Sequence, residues 1–149
     1  LYDTPCNLFV AGFIGSPQMN FIDAALGKEG GEYFLTFGDT RVRVPAGAAP
    51  PEELEPRVGR ELVLGIRPED IHGEEAFLRL APDGRFTARV ELAELMGAES
   101  YLYLSAGGRS LTARVPARLR AAAGEEISLA LDSNKIHLFD KNTQLRLGS

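Results

Sequence analysis

Leu62-Val63-Leu64-Gly65-Ile66 is a short apolar run that stops at Arg67-Pro68-Glu69. A continuous apolar run of this length suits a buried strand. Pro68 has no N–H for a ladder and drives Arg67 towards extended geometry, so the strand ends at this corner. Glu69 and Asp70 then suit the first turn of a short helix with Pro68 at its first position, where unpaired N–H groups favour negative charge. Gly65 inside the run predicts a bulge or the close approach of another backbone.

The rest of the chain is cut into similar short pieces. Met19-Asn20-Phe21-Ile22-Asp23-Ala24 falls in a strand predicted over Gln18–Leu26, followed by a turn at Gly27–Gly31. Tyr33–Phe37, a hairpin turn at Gly38-Asp39-Thr40, and the alternating Arg41-Val42-Arg43-Val44 follow. Four prolines between Pro45 and Pro56 exclude a central strand and predict a connecting surface loop.

Beyond the corner, Ala76–Ala81 reads as a strand and Pro82-Asp83-Gly84 as a turn. Phe86, Ala88, Val90 and Leu92 then alternate on one face, and Glu94–Glu99 interrupts them. Further strands fall at Tyr101–Leu104, at Leu111, Ala113 and Val115, at Ile127, Leu129 and Leu131, and at Ile136–Phe139. Turns separate them at Ser105–Gly108 and Asp132–Lys135, and Pro116–Gly124 is a loop or one helical turn. Short strands spaced about 8–12 residues apart with turn chemistry between them predict a mainly β fold: an OB-like barrel or a sandwich of short antiparallel strands.

Ahead of this series, Asn7 can cap a short N-terminal helix over Leu8–Ile14, ended by Gly15 and Ser16-Pro17. That helix is apolar nearly all round, so it packs into the core or against another domain. The expected division is a junction helix in residues 1–17 and a β domain over 18–149.

At 149 residues the chain is the size of one domain and can bury roughly 68–70% of its unfolded surface. Its net charge of -5 and pI near 5.1 argue against partners that need a Lys/Arg surplus, namely nucleic acid and anionic lipid. A lone Cys6 allows no internal disulfide, which fits a reducing compartment. No apolar run reaches the roughly 18 residues of a membrane span, and nothing reads as a signal peptide. The start at Leu1 instead of Met reads as a fragment of a longer protein.

Chemistry is sparse. A P-loop needs two glycines flanking four residues, then Lys and Ser/Thr; the Gly27-Lys28 pair has Ile22 where the first glycine belongs. Leu104-Ser105-Ala106-Gly107-Gly108-Arg109 looks like the signature loop of ABC ATPases, but alternating Leu111, Ala113 and Val115 follow, so it reads as a hairpin. Leu129-Ala130-Leu131-Asp132 looks like the strand that presents a magnesium-binding Asp, but Ser133 follows where a Glu belongs; a turn-starting Asp is the better reading. Cys6, His72 and His137 lack metal-ligand spacing, and both histidines are expected on solvated faces. Glu52-Glu53, Glu74-Glu75 and Glu125-Glu126 read as solvating charge. No Gly-x-Ser-x-Gly elbow is present. Tyr101 and Tyr103 share a strand face and could stack bases, but no basic stripe surrounds them, so packing or a protein interface is the stronger reading.

Three stretches together resemble one family. They are Leu1-Tyr2-Asp3-Thr4-Pro5 with Phe9 through Phe21, then Leu64-Gly65-Ile66-Arg67-Pro68-Glu69, then Glu94-Leu95-Met96-Gly97-Ala98-Glu99. In order and spacing they are similar to the C-terminal part of ATP-binding subunits of sugar ABC importers of the maltose and glycerol-phosphate type, up to about Phe139. The resemblance implies a transport-associated OB (TOBE) regulatory domain that follows a nucleotide-binding domain, pairs with its twin in the second subunit and receives a regulatory protein or ligand.

It implies no catalysis and no cofactor in this chain, ATP and Mg belonging to the nucleotide-binding domain. It implies transmembrane permease partners and a place at the cytoplasmic face of the membrane. The motif residues singled out as interaction candidates are Phe21, Gly65, Arg67, Glu69 and Gly97. Each has a structural reading too: Phe21 as core, and Arg67 with Glu69 as a local ion pair worth under about 1 kcal/mol if exposed. Two other readings stand beside it. One is a free-standing small-anion barrel of the molybdate-binding type, whose Ser-Ala-Arg-Asn motif is missing here. The other is an OB-type nucleic-acid binder, which the acidic charge opposes.

Overall fold

The computed structural model describes residues 18–148. The predicted helix Leu8–Ile14 and the whole of 1–17 lie outside them. In chain order the elements are β1 (Asn20–Glu29), β2 (Glu32–Phe37), β3 (Thr40–Arg43), α1 (Pro51–Leu54), β4 (Glu61–Ile66), β5 (Ile71–His72), α2 (Glu75–Leu80), β6 (Arg85–Met96), β7 (Glu99–Ala106), β8 (Arg109–Pro116), β9 (Glu126–Leu131) and β10 (His137–Asp140). They form two five-stranded antiparallel sheets, β10-β4-β1-β2-β3 and β5-β9-β6-β7-β8. The two edges of the second sheet, β5 and β8, touch, so it curls nearly into a barrel.

Alternation builds the core. Ile22, Ala24 and Leu26 of β1 are buried while Phe21, Asp23 and Ala25 between them are exposed. They join Leu35, Leu64, Val90, Leu104, Ala113 and Leu129 in one cluster shared by both sheets. Each Leu, Ile or Val among them contributes roughly 1.5–3 kcal/mol when fully buried. β4 lies between β1 and β10 and is buried on both faces, as its unbroken apolar run requires. Leu62, Leu64 and Ile66 enter the main core; Val63 joins Met19 and Phe139 in a second cluster.

Polar groups stitch the sheets together. Asn20 is 7% exposed, and its amide stands in for a strand partner along the edge of β8. Thr112 N donates to Asn20 Oδ1 at 2.7 Å, and Asn20 Nδ2 donates to Thr112 O at 2.8 Å and to Ile66 O at 3.1 Å. Thr40 Oγ1 donates to Arg85 O at 3.0 Å on the far side.

The corner forms as expected: Arg67 is extended at φ -76°, ψ 151°, and Pro68–Asp70 make one 3-10 turn. Asp132 starts a turn and accepts from Asn134 N at 3.0 Å. The two glycines Gly107 and Gly108, both at positive φ, close the β7–β8 hairpin where the signature-like loop was discounted.

Several expectations need correction. Ala76–Ala81 is not a strand; Glu75–Leu80 is the helix α2. A short apolar run does not distinguish helix from strand, and here Arg85 reaches back to the freed carbonyls of Leu78 and Ala81 and caps a helix end. The Pro45–Pro56 segment is not just a surface loop: Pro51 opens α1, and Leu54 and Ala49 are buried. β1 runs through Gly27 to Glu29, so only Gly30 and Gly31 turn.

β6 also continues through Glu94 to Met96. A bulge between Val90 and Leu92 slips the register, so Leu92 leaves the core face and is 55% exposed. Gly65 sits in an unbroken ladder with Phe21 and His137, so it is no bulge. What approaches it is side chain, not backbone: an added Cβ would lie 2.7 Å from Met19 Sδ and 3.1 Å from Phe139 Cε1. His72 and His137 are half-buried, and His72 stacks on Phe77 with ring centroids 4.3 Å apart.

Candidate functional site

Pro68 ends β4 and turns the chain over β8, which places Arg67 in the lining of a cavity of about 610 Å³. Its walls include Arg67, Glu69 and Asp70 from the corner, Asn134 and Lys135 from the turn before β10, His137 at the start of β10, and Arg146 from the tail. Arg67 is 6% exposed, so it is not half of an exposed local ion pair. Its burial makes it part of the wall.

The electrostatics are crowded. Burial, and then the charge of Arg67, hold the Arg146 guanidinium below its ordinary range. Burial, and then the charge of Glu69, hold the Asp70 carboxyl above its ordinary range. Arg67, His137 and Arg146 each have a further interaction within the fold.

The other candidates lie elsewhere. Phe21 is 37% exposed on β1, edge-on to Phe139 at 6.0 Å between centroids, and so is not the core residue expected. Gly65 pairs with it across the ladder. Gly97, at φ 68°, forms the two-residue turn of the β6–β7 hairpin with Ala98 and has open space around it. Beside that turn Leu92, Leu95 and Met96 are exposed. The fold thus brings Arg67 and Glu69 to one cavity and places Phe21, Gly65 and Gly97 outside its lining.

Lys135, His137 and Arg146 were not expected at the corner. Each lies more than sixty residues away in a stretch whose local pattern encodes only turns or strand. Among the described residues no cluster of three His, Cys, Asp or Glu could hold a metal, and no helix is long and apolar enough to cross a membrane.

Comparison with known proteins agrees with this architecture. The MalK OB fold domain model matches residues 15–71 and the TOBE domain model matches 64–139, so the two meet at the Arg67 corner. The oligosaccharides import ATP-binding protein MsmX of Bacillus subtilis is 37% identical over 99% of this chain and 39% of its own length. The trehalose/maltose import ATP-binding protein MalK of Thermococcus litoralis is 38% identical over 96% of this chain and 38% of its own length. The chain therefore spans about two-fifths of the curated relatives it matches. Among solved structures, the cytoplasmic molybdate-binding protein ModG with molybdate bound superposes with a TM-score of 0.62 over 80% of this chain and 94% of that one. At 17% identity this is likeness of fold alone. By both domain models and by near-complete alignment to sugar import ATP-binding proteins, the chain belongs to the MalK-type OB and TOBE domain family of sugar ABC importer ATP-binding subunits.

Proposed function

We propose that this chain is the regulatory and dimer-holding domain of the ATP-binding subunit of a sugar importer, with no chemistry of its own. One observation carries the reading: 99% of the chain aligns with 39% of an import ATP-binding protein, while its own sequence holds no P-loop. ATP and its Mg are then bound by the remaining length of such a protein. The domain's partners are that nucleotide-binding domain, a second copy of the same subunit, and through them the permease subunits in the membrane. A regulatory protein or ligand is the further partner. Its place is the cytoplasmic face, peripheral to the membrane.

The test is the intact mass and ATP turnover of the native polypeptide carrying this segment. A mass well above 16.1 kDa with ATP hydrolysis is expected. A native chain of that size without turnover refutes the reading. Sedimentation equilibrium of the native protein, with and without ATP, tests the pairing of subunits.

A further inference from the structure

We propose that the cavity at the Arg67 corner binds a phosphorylated sugar, with Arg67, Arg146 and Lys135 holding the phosphate and Glu69, Asp70 and Asn134 taking the sugar hydroxyls. Three observations carry it. First, the chain is acidic overall, with a net charge of -5, yet it gathers two arginines, a lysine and His137 around one cavity. Guanidinium groups present planar forks of donors that match phosphate oxygens, and partial burial strengthens such pairs relative to water. Burial, and then the charge of Arg67, lower the basicity of Arg146, and an anion placed with them would offset the second of these.

Second, Glu69 and Asp70 line the same cavity. A bare oxyanion gains nothing from them and is repelled. A polyol does gain, because ionised carboxylates are pure acceptors for hydroxyl groups, and the Asn134 amide both gives and accepts. The mixture of cations and acceptors therefore fits an anionic group attached to a hydroxylated body. Third, about 610 Å³ lies within the roughly 300–1,000 Å³ of small-molecule sites, and inorganic phosphate alone would leave most of it to water.

As an input to a regulatory domain this site rests on the function proposed above; its occupancy does not. Calorimetric titration of the 149-residue chain with glucose 6-phosphate, inorganic phosphate and glucose tests it. Saturable one-to-one binding of glucose 6-phosphate is expected, at least about tenfold tighter than phosphate, with no heat from glucose. Arg146→Gln should weaken it about tenfold or more, and Lys135→Gln, at an exposed position, about threefold. Glu69→Gln should tighten phosphate and narrow the preference for the sugar phosphate.

Urea melts verify that each variant is folded, and Lys135→Gln carries the test if Arg146→Gln is not. No saturation by about 10 mM overturns the proposal. So does equal affinity for inorganic phosphate, or binding undiminished in the folded variants. Absent binding alongside ATP turnover in the native protein discards the site and keeps the regulatory reading. Binding by a native chain without turnover does the reverse.

Discussion

Replacing Asn20 should open the seam between the two sheets. The Asn20 amide accepts from Thr112 N at 2.7 Å and donates to Thr112 O at 2.8 Å and Ile66 O at 3.1 Å, at a position only 7% exposed. Asn20→Ala removes all three bonds and leaves the N–H and carbonyl of Thr112 unpaired on a half-buried sheet edge. An unpaired buried backbone group costs roughly 1–3 kcal/mol, and Ile66 O keeps a second lone pair for the ladder, so the loss should be about 2–4 kcal/mol. For a domain of this size that lowers Tm by about 6–15 °C.

Asn20→Asp sharpens the test. A carboxylate can still accept from Thr112 N, but it cannot donate, and it faces two carbonyl oxygens in a buried site. The folded pKa of the introduced carboxyl should therefore rise above its unfolded value of about 3.9. The sign follows: the variant is most stable below about pH 4 and loses stability as pH climbs through the folded pKa, relative to the parent chain. Urea melts of both variants between about pH 3.5 and 8 measure this. A change under about 0.5 kcal/mol in Asn20→Ala would refute the argument, since that is the range of an indifferent surface substitution. So would a variant-to-parent difference in Asn20→Asp that stays flat with pH.

Three further outcomes are expected. Gly65→Ala should destabilise by about 1–3 kcal/mol in a urea melt, because its Cβ meets Met19 Sδ, which can yield, and the Phe139 ring, which is fully buried; a neutral result would mean the second cluster is loosely packed. Gly97→Ala should cost about 1 kcal/mol through the left-handed backbone alone, with Gly97→Asn recovering part of it, because nothing crowds the site. In Asp140, the N–H of Thr143, the Arg57 guanidinium at 2.9 Å and the N–H of Asn142 hold the carboxyl below its ordinary range. Its stabilisation is complete above about pH 4 and is lost as pH falls through the folded value, so Asp140→Asn should cost about 1–2 kcal/mol near neutrality and nothing at low pH.

The sequence was most legible where a residue's own backbone chemistry decides the outcome. Pro68 ends β4 because it has no N–H, and it extends Arg67 in any context. Gly107 and Gly108 turn the β7–β8 hairpin because both accept positive φ. It was least legible where two structures suit the same residues. The Ala76–Ala81 stretch falls in a helix whose end Arg85 caps through Leu78 O and Ala81 O, a contact that no apolar pattern announces. Leu92 left the core because of a bulge at Glu91, which no alternation pattern announces.

The family could be read before the fold was known, because its motifs are local: a Pro-ended strand, a glycine turn, an apolar opening. The candidate site could not. Arg67 and Glu69 were visible as a corner, but the cavity exists only because β10 lies beside β4 and brings His137, with Lys135 and Arg146 from its flanks, to the same place. Local order follows from steric and hydrogen-bonding rules that each residue carries with it. Proximity between residues far apart in sequence follows from which sheet faces bury one another, and only the closed structure decides that.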